Sequence, residues 1–284
     1  MSILNLKKIR ITILLPIFAI ISIGIGSYSL ENSFAHNFSP DESAHFLTIV
    51  EKIKVESALA ANSAGGNSNQ SSAQIHANSA LQSYDSHTKD ELSERNERIA
   101  TELDDTLNTL LVQVKSQTNK SQLDNTVETI NAILEEATST RVDEEQLNNS
   151  TIQALVFASI VDTALQNYGD AYNVGIDLTN AANMHKSMAA TDNTVSSQSG
   201  LLNFSNYESA LGFSDKALDK YYNEISSSLA EKNTKTQDYL KKLENGLLEL
   251  NNAINNKENP MKVMKIVHTN IHPNLQILFN LKSS

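Results

Sequence analysis

The stretch LNNSTIQALVFASIVDTALQNY, Leu147–Tyr168, decides the fold. Its apolar side chains, among them Ile152, Leu155, Val156, Ile160, Val161 and Leu165, fall nearly all round a helix instead of along one stripe. A helix of that kind has neighbours on every side, so this one is expected at the centre of an all-α domain. The apolar run from Ile152 to Leu165 is too short for a membrane span and carries Gln153, Ser159 and Asp162.

The segments on either side are amphipathic at helical spacing. Upstream, Phe46, Ile49, Val50, Ile53 and Ala60 recur every three or four residues after Asp41-Glu42, where Ser39 or Asp41 can cap the helix. Ser72–Tyr84 presents Ala73, Ala77, Ala80 and Tyr84. Thr88–Lys115 reads as one long helix with Leu92, Ile99, Leu103, Leu107, Leu110 and Val114 inward and a solvated charged face outward. Leu123, Val127, Ile130 and Leu134 mark the next. Downstream, Asn206–Leu229 turns Leu211, Leu218, Tyr221, Ile225 and Leu229 inward, and Thr236–Ile254 carries a heptad-like row of Leu240, Leu243, Leu247, Leu250 and Ile254. Asn259-Pro260 ends that helix and opens the last, because proline suits a first helical position.

With four prolines, nine glycines and almost no β-branched alternation, the connections are short. Short connections imply antiparallel neighbours, hence an antiparallel up-and-down helical bundle or two small bundles. Gly65-Gly66-Asn67-Ser68 makes a flexible turn, and the polar stretch Ser187–Gly200 is the internal boundary. The expected organisation is an N-terminal helical region over 36–186, a polar linker over 187–203, and C-terminal helices over 204–284 packing on or beside the first region.

Lys7, Lys8 and Arg10, the apolar run Ile11–Ile25 and a polar turn at Ser27 give residues 1–35 the layout of a secretory signal. Its apolar part, about 15 residues, falls short of the roughly 20 that cross a bilayer comfortably. Ser33-Phe34-Ala35 offers small residues where signal peptidase reads, so cleavage after Ala35 leaves His36 as the new N-terminus; the alternative is an uncleaved membrane anchor. The body is therefore expected outside the cytoplasm, secreted or held at the outer face of the membrane, touching the membrane only through that segment. With no cysteine there is no disulfide framework, and stability rests on the core. Losing Lys7, Lys8, Arg10 and Glu31 removes three cations and one anion, which takes the formal charge from -11 to -13. So acidic a body repels phosphates, and nucleic acid is not an expected partner. Asn-X-Ser/Thr triplets at Asn37, Asn69, Asn119, Asn148, Asn149 and Asn203 are what an Asn-, Ser- and Thr-rich chain produces by chance.

Motifs for chemistry are sparse. The chain has no cysteine nucleophile, no GxSxG elbow and no phosphate-binding loop, so it is not expected to be an enzyme. Seven histidines remain. Glu42 and His45 have the Glu-x-x-His spacing of a di-iron bundle, but no second copy exists, and His45 belongs at a helix flank. His268 and His272 stand one helical turn apart, within reach of one metal ion, and Pro273 should kink the helix and free the carbonyl of Thr269. His76 lies at the edge of its alanine face and points toward a partner helix, where a hydrogen-bonded core residue and a ligand are the competing readings. His87 and His185 read as solvent-exposed. A free His36 would offer its α-amino group and ring Nδ1 to a cupric ion once another imidazole joins, and copper binds nitrogen donors most tightly among the common divalent metals.

HNFSPDESAHFLTIVEKIKVESALA from His36, with QIHANSAL, ELSERNERIATELDDTLNTL and IHPNLQ, resembles a group of exported, all-helical proteins of ammonia-oxidising archaea that carry no established activity. The similarity covers most of the chain after Ala35. It implies an extracytoplasmic setting in organisms whose energy metabolism depends on copper enzymes, and recurring histidines at positions 36, 76 and 272. His45 stands where the group has a small residue. Two functions follow as expectations. One is a metal-binding protein, copper favoured, using His36, His76, His268 and His272 for handling or sensing; the other is a non-catalytic structural or interaction bundle that docks other envelope proteins.

Overall fold

Helix starts are set by short polar side chains that accept hydrogen bonds from the first free backbone N–H groups, each contributing about 1 kcal/mol. In the structure, a computed structural model that describes residues 41–65, 70–174, 177–180, 200–229 and 233–282, Asp41 Oδ1 accepts from Ala44 N at 2.8 Å and Asp85 Oδ1 from Thr88 N at 2.8 Å. Asn119, Asn149, Asn203, Asn233 and Asn259 cap five further helices in the same way. Three of these belong to the Asn-X-Ser/Thr triplets, so their side chains are committed to the backbone. The signal segment 1–35, His36, Ser39, His185 and most of the linker 187–203 lie outside the described residues.

Among the described residues all regular structure is helical. The order is α1 (Glu42–Gly65), α2 (Gln70–Ser83), α3 (Ser86–Lys115), α4 (Lys120–Arg141), α5 (Glu144–Leu147), α6 (Ser150–Ala171) and α7 (Phe204–Lys220). A π-turn, π1 (Tyr221–Ile225), extends α7; then come α8 (Thr234–Asn255), α9 (Pro260–Ile266), a second π-turn, π2 (Val267–Ile271), and α10 (His272–Phe279). The α3 segment departs from the single unbroken helix expected: Asn96 has φ -158° and ψ 94°. Its Oδ1 lies 3.4 Å from Ile99 N, restarting the helix much as a cap would.

Side-chain ties fix the pairing. Tyr84 Oη donates to Ala100 O and Gln70 to Val114 O, so α2 and α3 run antiparallel. Thr126 to Gln113 and Arg141 to Glu91 do the same for α3 and α4. Tyr207 to Ile254 O and Tyr221 to Leu240 O align α7 against α8. Lys216 meets Glu51 at 3.0 Å and Ser63 meets Glu208 at 3.3 Å, so α7 is antiparallel to α1 as well as to its chain neighbour α6. It follows that α1 and α6 run parallel, and Ser43 at the start of α1 bonds Gln146 just before α6 at 2.6 Å. A strict ring of antiparallel neighbours is thus interrupted here, and again where α2 meets α7 in parallel, Ser72 beside Ser205 and His76 beside Glu208.

Both α1 and α6 are hubs: α1 touches α2, α3, α4, α6 and α7, and α6 touches α1, α7, α9 and α10. Phe157, Leu165 and Tyr168 of α6 join Ile53 of α1, Leu107 and Leu110 of α3, Phe213 of α7 and Leu250 of α8 in one buried cluster. Residues before and after the linker therefore share a core instead of forming two small bundles. Each of these large side chains contributes about 1.5–3 kcal/mol on burial.

Candidate functional site

The described histidines expected as ligands fall into two separate clusters. His76, on the inner face of α2, has no exposed surface. Its Nδ1 lies 2.8 Å from Glu56 Oε2 on α1 and its Nε2 3.3 Å from Glu208 Oε2 on α7. Ser209 donates to the other Glu56 oxygen at 2.8 Å, and Ser72 bonds both Glu208 and Ser205. Carboxylates only accept, so both ring nitrogens must donate, and the doubly protonated ring satisfies the set. Burial alone pushes this imidazole down, but the hydrogen bonds and charges of Glu56 and Glu208 more than reverse it, leaving its pKa raised above the ordinary value. The cluster ties three helices together at one buried point.

The second cluster is built around π2. His268 and His272 are buried, with ring centroids 5.3 Å apart in an edge-on arrangement. His268 Nε2 donates to Leu178 O at 2.9 Å, which fixes the short segment 177–180 on α9–α10, while Nδ1 is buried with no hydrogen-bond partner among the described residues. Burial, then the charge of His272, lowers the His268 pKa. His272 Nε2 lies 3.1 Å from Asp162 Oδ1 of α6, an ion-pair distance without hydrogen-bond alignment. The wider turn of π2 absorbs Pro273, so the helix continues through α10 where a simple kink was expected. Beside it, Asn270 O accepts from Asn274 Nδ2 at 2.7 Å, and Gly246 of α8 packs where an added Cβ would stand only 2.9 Å from that oxygen.

A groove of about 890 Å³ runs along α1 and α6, closed at one end by the start of α3 and the end of α4. Asp162 lines it, its side chain 30 % exposed, and so forms a wall between the groove and His272. Lys52, His45, His87, Glu91 and Arg141 also line it. Arg141 is held by Glu91 at 3.1 Å and lies over the Phe46 ring at 5.9 Å, while its buried Nε finds no acceptor among the described residues. Lys52, half-buried, has its pKa lowered by burial, with Glu56 opposing.

His268 and His272 are thus brought together, and His76 is not brought to them: its ring is clasped by Glu56 and Glu208, which touch neither. His36 lies outside the described residues. Two imidazoles and a carboxylate at π2 have donor chemistry that suits copper, yet among the described residues no group of three or more His, Cys, Asp or Glu is placed to hold a metal ion. His45 and His87 are exposed, at a helix flank and a helix start, as their sequence positions predict. Sequence reasoning missed Glu56, Glu208 and Lys52. Glu56 had a signal, since it interrupts the buried stripe between Ile53 and Ala60. No helix of the described residues is long and apolar enough to cross a membrane. No protein-family model, curated protein or solved structure matches the chain.

Proposed function

We propose that the protein is a non-catalytic helical module of the cell envelope, working outside the cytoplasm as a rigid body that docks other envelope components. The observation that carries this reading is the use of the buried titratable groups: His76 is spent on Glu56 and Glu208, tying three helices, and His268 on the Leu178 carbonyl, tying the segment 177–180 to the last helices. The signal-like N-terminus supports the location, and the acidic body argues against nucleic acid as a partner.

A second reading, copper binding, is favoured by one observation, the buried His268 Nδ1 without a hydrogen-bond partner next to His272 and Asp162. In that reading His268, His272 and Asp162 form the centre, with His36 and His76 outside it. Calorimetric melting with and without equimolar cupric ion separates the two. The structural module melts at the same temperature with and without copper, and the double variant His268→Asn, His272→Asn is destabilised equally in both. Stabilisation by copper that disappears in the double variant would install the metal reading.

A further inference from the structure

An acidic chain should leave few of its buried or half-buried cations without a carboxylate, and the described ones bear this out at three positions. Lys216 holds Glu51 at 3.0 Å, Arg141 holds Glu91 at 3.1 Å, and Lys220 holds Glu224. Lys52 is different. Its partner by helical spacing is Glu56, one turn along α1. Both oxygens of Glu56 are taken, Oε2 by His76 and Oε1 by Ser209, each at 2.8 Å. Lys52 accordingly forms neither an ion pair nor a hydrogen bond among the described residues, and it lines the groove. On the α6 wall of the same groove stands Asp162, its side chain 30 % exposed: Oδ1 is buried 3.1 Å from His272 Nε2, which leaves Oδ2 as the oxygen offered to the groove. Ile49, Leu155 and Ala158 lay apolar surface along the groove. At about 890 Å³ the groove has the size of a small-molecule site, and it carries a cation without an ion pair among the described residues and a partly exposed carboxylate.

We propose that the groove between α1 and α6 binds a small zwitterion of the amino-acid class, with its carboxylate on Lys52 and its ammonium on Asp162. A ligand carrying only an anion would leave the groove-facing oxygen of Asp162 without a donor, its other oxygen being turned to His272, and one carrying only a cation would be repelled by Lys52. An ammonium and a carboxylate on one small frame answer both walls, and the apolar surface takes a side chain of modest size. This assignment goes beyond the docking role above and does not depend on it, since a docking module needs no ligand in the groove; the groove borders both histidine clusters, through Asp162 beside His272 and Lys52 beside Glu56.

The test uses the full chain with free amino acids as probes, read by thermal shift and isothermal titration. Leucine, glycine and glutamate are compared with 4-methylpentanoate, which lacks the ammonium of leucine, and with isoamylamine, which lacks its carboxylate. Millimolar amino acid is expected to raise the melting temperature, and neither truncated analogue to do so. Lys52→Met preserves the aliphatic stem and should weaken binding about tenfold or more with the helical circular dichroism unchanged, and Lys52→Arg should restore part of it. Asp162→Asn should weaken binding similarly. No amino acid shifting the melting point, binding of an analogue as tight as that of leucine, or full binding by Lys52→Met would each overturn the proposal.

Discussion

His76 Nδ1 lies 2.8 Å from Glu56 Oε2, and the same ring reaches Glu208 through its other nitrogen, so one side chain from α2 closes a buried contact with α1 and α7 together. Removing it leaves two carboxylates facing each other without a counter-charge. His76→Ala is expected to cost about 3–5 kcal/mol, as for breaking one side of a buried charge pair. Urea denaturation of the full chain measures it; a loss below about 1 kcal/mol would mean that the cluster is not an interhelix tie.

The two buried histidine clusters tilt stability in opposite directions with pH. His76 has a raised folded pKa, so its contribution is fully present below about pH 6.5 and is lost as pH rises through the folded value. His268 has a lowered folded pKa, so the unfolded chain takes its proton first and stability falls as pH drops below about 6.5 toward the folded value. His76→Gln should flatten the alkaline side of the stability profile, and His268→Gln, which keeps a donor for Leu178 O, the acid side. Denaturation midpoints from pH 5 to 8 check this, and the reverse assignment would refute it.

Two glycines in helices should respond differently to alanine. At Gly246 an added Cβ meets Asn270 O at 2.9 Å, a backbone atom of π2 that cannot swing aside. Gly246→Ala is expected to destabilise by about 1–3 kcal/mol through overpacking. At Gly212 the same atom meets only the side-chain ends of Leu59 and Val55, at 3.1 Å. Gly212→Ala should be near neutral or stabilising, since alanine gains up to about 1 kcal/mol of helix propensity. Equal losses in the two variants would show that π2 yields as easily as a side chain.

Cleavage after Ala35 predicts that mass spectrometry of the protein from its native host finds His36 at the N-terminus. Recovery of Met1 would instead identify an uncleaved anchor. The outcome also decides whether the amino-terminal chelate considered for copper can form.

The helices were legible because burial needs apolar residues at spacings of three and four, and Phe46 to Ala60, Leu92 to Val114 and Leu240 to Ile254 follow that rule plainly. The cap at Asp41 and the helix start at Pro260 were legible from local chemistry, a short acceptor side chain and a ring that suits the first helical position. The break at Asn96 was not, since a single polar residue on an exposed face carries no periodic signal. His76 could be placed inward, but its partners could not be named: Glu208 lies far along the chain, and only the antiparallel packing of α7 on α1 brings it near. Of the four histidines expected as ligands, His76 stands apart from His268 and His272 because nearby carboxylates hold both its nitrogens, and His36 lies outside the described residues.

The order in which the polypeptide is made now gains meaning. Glu56 and His76 leave the ribosome well before Glu208, the second acid of their cluster, which lies 132 residues after His76. Until α7 arrives, the nascent chain carries a half-finished ionic knot beside an uncovered apolar flank. Residues up to Ala171 therefore hold only one of the two acids that clasp His76, and the knot is complete only once α7 has docked.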